Sequence, residues 1–158
     1  MLLLTFQINN EHYAVRATDV IEILPLTTIR PMPLAPKCIA GVLDYRQKIL
    51  PVIDLVELTN NRPHNKVLSS RIIIMNYSVN QDNHPIGLIA EKVTDTISID
   101  EKKLSASNIT IPNASYLGKM YKDSENFVQI IEVNSILSAE IQNMLFQDSN
   151  TLKSLAMN

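Results

Sequence analysis

Short apolar runs separated by polar turn residues make up most of this chain. Residues 2–8 and 13–15 are the first two runs, and Asn9 and Asn10 between them tolerate left-handed turn conformations. The run 71–77 is apolar almost throughout, which is typical of a strand buried on both faces. About ten such runs precede the C-terminal region, and this pattern predicts a β-barrel or β-sandwich protein.

The segment 38–55 is the most informative of these runs. Apolar residues lie on both of its arms, and Arg46, Gln47 and Lys48 lie between them, so we predict a hairpin with a charged tip. An Arg held on an apolar scaffold suits docking to another protein, because its planar guanidinium makes several directional bonds. An ordinary solvated turn is the alternative interpretation of the same residues.

Residues 55–58 are predicted to form a short helical end, and the only helix of appreciable length is predicted near the C-terminus, with Asn134 or Ser135 as its N-cap. The apolar face of this helix comprises Ile136, Leu137, Ile141, Met144 and Leu145. Residues 60–70 and 79–85 are polar and are predicted to be loops, and residues 86–93 and 94–99 are predicted to be successive strands. The residues after Phe146, 147–158, are predicted to form a flexible tail.

Composition excludes several classes of function. A formal net charge of -2 and a pI near 5.9 argue against nucleic-acid binding, which requires clustered Lys and Arg. The apolar residues 1–4 are too short a run for a signal peptide or a membrane span, so we expect a cytoplasmic protein without membrane insertion. The single cysteine, Cys38, excludes an internal disulfide and is expected to be a small apolar residue beside the hairpin.

The residues that could carry chemistry are few and scattered. Gly41, Gly87 and Gly118 are too far apart for a phosphate-binding loop, and each instead suggests a bulge or a close backbone approach within a strand. The three histidines lie in predicted polar loops without metal-ligand spacing, so we expect surface histidines and no metal or cofactor. These residues are His12, His64 and His84.

Two pairs of carboxylates, Asp19 with Glu22 and Asp54 with Glu57, could each face one side of a helical turn. Helix capping or a solvated face is the expected role of both pairs, and recognition of a basic partner is the alternative. We therefore expect no catalytic residues.

Five motifs in order resemble those of the CheW family, the adaptors of bacterial chemosensory arrays. All three glycines fall on family positions. One departure is Gln47, where the family usually has Gly, because Gln adopts a positive φ only at a cost of about 1 kcal/mol. The matching segments are Tyr13–Val15 with Val20–Leu24, Pro33–Pro36 with Ile39–Val42, Arg46–Leu55, Gly87–Ile89 with Val93–Thr96, and Tyr116–Met120.

The resemblance implies an all-β fold of two small five-stranded SH3-like barrels that share an apolar core, with residues 1–146 as one CheW-like domain. It implies no enzymatic activity. The family couples the regulatory domain of the histidine kinase CheA, itself CheW-like, to the cytoplasmic tip of a chemoreceptor. By motif, the positions that meet the receptor are Val20, Glu22, Gly41 and Arg46, flanked by Val42 and Leu43.

Two other classes of function remain open from the sequence. One is an SH3-like peptide-binding module in an unrelated pathway, and the other is an enzyme that uses Asp19, Asp54 and a loop histidine. A pull-down with the receptor tip and the kinase distinguishes the first from the adaptor. A hydrolase screen of an Asp54→Ala variant addresses the second.

Overall fold

A computed structural model describes residues 1–64, 70–106, 114–123 and 126–146. The predicted all-β class with a short C-terminal helix is confirmed, and the predicted flexible tail lies outside the described residues. None of the described helices has the length and apolar character needed to cross a membrane. The strands are β1 (Leu2–Ile8), β2 (Glu11–Arg16), β3 (Val20–Pro25), β4 (Ile39–Tyr45), β5 (Lys48–Asp54), β6 (Arg71–Val79), β7 (Asp82–Ala90), β8 (Lys92–Ser98), β9 (Leu117–Asp123) and β10 (Asn126–Ile131), and the helices are α1 (Leu55–Asn60) and α2 (Ala139–Leu145).

The strands form two five-stranded sheets, which confirms the predicted pair of small barrels. Barrel 1 has the strand order β8-β1-β2-β10-β9, and barrel 2 has the order β3-β6-β7-β5-β4. In each barrel, a residue that follows one edge strand in the sequence forms an isolated β-bridge with the other edge strand. Ser105 pairs with Met120 in barrel 1, and Arg30 pairs with Val42 in barrel 2.

Three apolar clusters fill the described part of the molecule, one inside each barrel and one between the two barrels. Successive side chains of a strand point to opposite faces. Ile72 and Ile74 therefore lie inside barrel 2, whereas Ile73 and Met75 lie in the layer between the barrels. This explains the almost continuous apolar run of β6, and the layer between the barrels is the predicted shared core.

Three hairpins close with two-residue turns in which both central residues have positive φ, as a type I′ turn requires. These turns are Asn9–Asn10, Arg46–Gln47 and Asn80–Gln81. The predicted loop at 79–85 is therefore wrong, because β6 and β7 stay paired up to Val79 and Asp82. The polar residues there lie at the exposed end of a hairpin. Their polarity reflects solvent exposure rather than the absence of a strand.

Two predicted boundaries also differ from the structure. The break between β7 and β8 is at Glu91, rather than between residues 93 and 94. Helix α2 is capped by Ser138, whose hydroxyl accepts from the N–H of Ile141 at 3.3 Å, instead of by Asn134 or Ser135. The amide oxygen of Asn134 accepts from the backbone of Ser78 at 2.9 Å. The chain before the helix is held against barrel 2 in this way and forms only a short 3-10 turn, Val133–Ser135, ahead of α2.

Candidate functional site

The tip of the β4–β5 hairpin is the predicted docking feature. Its turn consists of Arg46 and Gln47, with φ of 48° and 67°, while Lys48 is already the first residue of β5. The Arg46 side chain is 74 % exposed. The hairpin thus presents one guanidinium to solvent from a short and well-defined turn.

Arg46 belongs to a small set of side chains that we call the tip cluster, comprising Glu22, Tyr45 and Arg46. The Arg46 guanidinium donates to the Glu22 carboxylate at 3.1 Å and lies 5.3 Å from the centre of the Tyr45 ring. The Tyr45 hydroxyl donates to the same Glu22 oxygen, and this hydrogen bond raises the pKa of Tyr45. An ion pair this exposed contributes at most about 1 kcal/mol, so a partner can replace it at little cost.

The other predicted receptor-binding positions differ in their burial and in their contacts. Val20 is half-buried and packs against the layer between the barrels, and Val42 pairs with Arg30. Gly41 and Leu43 are buried. A Cβ on Gly41 would lie 2.1 Å from the carbonyl oxygen of Arg30, which confirms the predicted close backbone approach. Gly41 and Leu43 therefore support the surface from the interior, whereas the side chains of Glu22 and Arg46 are accessible to a partner.

Sequence reasoning missed three residues of this surface, namely Ile21, Ile23 and Tyr45. Ile21 and Ile23 are exposed on the edge strand β3. Ile23 is paired with Ile73, so its side chain lies on the face that packs between the barrels. An apolar stripe thus extends from the inter-barrel layer to the solvent near the tip cluster. The apolar alternation of β3 was a visible signal, but it did not show which face would stay uncovered.

Asp54 has the predicted capping role. One oxygen of its carboxylate accepts from the backbone N–H groups of Val56 and Glu57, at 3.0 and 3.2 Å, at the start of α1. Its other oxygen accepts from the backbone N–H of His64 at 3.1 Å and lies 2.7 Å from Nδ1 of that ring. This carboxylate is buried and is fully occupied by structural bonds.

The expectation of surface histidines is wrong, because all three side chains are half-buried, although His64 does lie in a loop as predicted. His12 lies in β2 and His84 in β7, where its ring stacks on Phe146 at 4.6 Å. Asp19 and Glu22 also do not share a helical turn, since Asp19 lies in a 3-10 turn and Glu22 in β3. The charge of Asp19 acts on Arg16 instead.

Metal-ligand clusters and the single cysteine are the remaining candidates for chemistry. Within the described ranges, no three His, Cys, Asp or Glu side chains converge as metal ligands would. Cys38 is half-buried against the inter-barrel layer, and burial raises the pKa of its thiol. A thiol in this state is protonated at neutral pH and reacts slowly.

Gln47→Gly is expected to stabilise the protein by up to about 1 kcal/mol, because Gly adopts the positive φ of this turn without a steric cost. Gln81→Gly is a matched control, since Gln81 holds the second position of another type I′ turn with φ of 69°. Urea midpoints of the three proteins measure the effect. A lower midpoint for Gln47→Gly would mean that the Gln47 side chain stabilises the tip.

Comparisons with known proteins agree with this architecture. A family model described as a CheW-like domain matches residues 2–140. The chemotaxis protein CheW of Treponema pallidum is 22 % identical over 140 residues, which cover 87 % of this chain and 82 % of that protein. The chemotaxis protein CheW of Bacillus subtilis is 24 % identical over 140 residues, which cover 87 % of each chain.

A solved structure is similar as well. The crystal structure of the scaffolding protein TtCheW from Thermoanaerobacter tengcongensis superposes with a TM-score of 0.76 at 28 % identity, covering 87 % of this chain and 88 % of that one. The family model, the relatives and the structural neighbour all extend over both barrels. The chain therefore belongs to the CheW-like domain family.

Proposed function

We propose that this protein is a non-enzymatic adaptor of a bacterial chemosensory pathway. It couples the cytoplasmic tip of a chemoreceptor to the regulatory domain of a CheA-type histidine kinase. The observation that carries the proposal is the CheW-like match over residues 2–140, with relatives named as chemotaxis proteins and a neighbour named as a scaffolding protein.

The receptor side of the proposal is assigned to the surface around the tip cluster. Arg46 and Glu22 supply charge there, and Ile21 and Ile23 supply an exposed apolar stripe. A helix of a receptor tip that carries apolar residues at i, i+3 and i+4 would lay them on such a stripe. The full set of proposed receptor-binding positions is Val20, Glu22, Gly41, Val42, Leu43 and Arg46, with Gly41 and Leu43 acting through the shape of the backbone.

The hydrogen bonds of Asp54 and Glu22 support a non-enzymatic role. A general acid or base needs a proton-transfer atom that can reach a substrate. Both oxygens of Asp54 are occupied by the α1 cap and by His64, and Glu22 is engaged with Tyr45 and Arg46. These bonds stabilise the fold and shape the docking surface.

The test is a reconstitution of receptor tip, kinase and adaptor, read as kinase activity against adaptor concentration. An adaptor acts by occupancy, so the curve should saturate when the partner sites are filled. Arg46→Ala should weaken the affinity for the receptor tip by about 1–3 kcal/mol, because an exposed guanidinium at the centre of an interface makes several directional bonds. Calorimetric titration with the receptor tip alone measures this loss directly.

Lys48→Ala is the matched control, because Lys48 is an exposed cation of the same hairpin that lies outside the tip cluster. It should bind the receptor tip nearly as the unmodified protein does, and both variants should keep its urea midpoint. Unchanged affinity of Arg46→Ala would remove Arg46 from the interface. Activity at trace adaptor concentrations, with many turnovers per molecule, would instead favour an enzyme.

A further inference from the structure

Leu34 occupies a backbone position that suits a different residue. The N–H of Ala35 donates to the carbonyl of Met32 at 3.3 Å, which closes a four-residue turn with Pro33 and Leu34 at its centre. Leu34 has φ of 65°. Pro followed by a residue of positive φ is the arrangement of a type II turn, whose third position favours Gly or Asn. A branched side chain in this conformation is a source of backbone strain.

The side chain of Leu34 is also fully exposed, at 105 % of its reference area. Its neighbours in the turn, Met32 and Ala35, pack against the apolar layer between the barrels. The two ends of the turn are therefore held against the core, whereas Leu34 at its apex projects into solvent. Backbone strain and an exposed apolar side chain coincide at one residue, and no contact with the three apolar clusters of the described residues offsets them.

The turn is remote from the tip cluster. Arg30 pairs antiparallel with Val42, so the chain from Arg30 to Leu34 runs back along β4 toward Ile39 and away from Tyr45. A seven-residue strand such as β4 is roughly 20 Å long. Leu34 and Arg46 therefore lie toward opposite ends of this strand, on separate surfaces.

The charge around Leu34 indicates the kind of surface it fits. The connection 26–38 contains two charged residues, Arg30 and Lys37, and both are exposed cations. A partner that receives Leu34 in an apolar pocket and carries acidic residues at the rim of that pocket would match both features.

We infer that Leu34 is an anchor residue that inserts into an apolar, acid-rimmed pocket on the regulatory domain of the kinase. This inference rests on the proposed function, in which one surface serves the receptor and another must serve the kinase. Presentation from a rigid turn lowers the conformational entropy lost on binding. The backbone strain at Leu34 contributes nothing to the stability of the isolated protein, and its role in the complex then explains why it is present.

The experiment compares Leu34→Gly, Leu34→Met and Gln81→Gly with the unmodified protein. Leu34→Gly should raise the urea midpoint, because it removes the strain without removing a packing contact. The same change should lower the affinity for the purified kinase regulatory domain at least about tenfold in calorimetry, with unchanged affinity for the receptor tip. Leu34→Met keeps an apolar side chain and should retain most of the affinity. Gln81→Gly also relieves a positive φ but should leave the affinity for the kinase domain unchanged.

Each contrary result has a distinct meaning. A lower urea midpoint for Leu34→Gly would show that the side chain stabilises the fold, and the inference would be overturned. Equal kinase affinity of Leu34→Gly and the unmodified protein would overturn the inference while leaving the proposed function standing. Failure of the unmodified protein to bind the kinase domain would overturn the proposed function, and the role of Leu34 with it.

Discussion

Gly41→Ala is expected to destabilise the protein by about 3 kcal/mol or more. Gly41 has φ of 148°, which side-chain-bearing residues rarely adopt. Its added Cβ would also lie 2.1 Å from the carbonyl oxygen and 2.7 Å from the carbonyl carbon of Arg30. Because these are backbone atoms, the chain around Arg30 would have to move away. The two hydrogen bonds between Arg30 and Val42, at 2.9 and 2.8 Å, would then be lost.

Gly87→Ala is the matched control, since Gly87 also lies within a strand of barrel 2, where it pairs with Val52 of β5. A Cβ there would meet methyl groups of Ile72 and Val52 at 3.0 and 3.3 Å. Side-chain methyl groups can shift, so the loss should be smaller than for Gly41→Ala. Urea unfolding of both variants gives the comparison. A loss for Gly41→Ala no larger than for Gly87→Ala would show that the Arg30–Val42 bridge is not closed in solution.

The fold could be predicted where local sequence decides local structure. The almost continuous apolar run of β6 indicated burial on both faces, and two clusters on either side of that strand explain it. The end of the same hairpin was missed because its turn, Asn80–Gln81, lacks the Asn-Gly sequence that usually marks a type I′ turn. The polar residues around this turn therefore resembled a loop.

The candidate site could be predicted only in part, for a different physical reason. Charged residues between two apolar arms indicated that Arg46 would lie at an exposed tip. The pairing of Arg46 with Glu22 joins residues 24 positions apart and depends on the arrangement of β3 and β4 within barrel 2. The positive φ of Leu34 likewise depends on a turn whose two ends are fixed by tertiary packing. Such features follow from the assembled fold rather than from local pattern.

Ile73→Ala is expected to destabilise the protein by about 2–5 kcal/mol. Ile73 has no exposed surface and lies in the middle of β6, paired with Ile23 on one side and Leu88 on the other. Its side chain belongs to the apolar layer between the barrels. Truncation removes apolar contacts and leaves a cavity in a layer held from both sides, so the surroundings can collapse only partly.

Ile49→Ala is the control for this change, because Ile49 lies on β5 with most of its side chain in solvent. The loss of unfolding free energy for Ile49→Ala should stay within about 0.5 kcal/mol. Ile72→Ala, one residue from Ile73, removes the same atoms from the interior of barrel 2 instead of from the layer between the barrels. Losses of several kcal/mol for both Ile72 and Ile73 would establish that β6 is buried on both faces. A loss below about 1 kcal/mol for Ile73→Ala alone would mean that the layer between the barrels is loosely packed. The proposed receptor-binding surface, which includes Ile23 at the edge of that layer, would then lack rigid support.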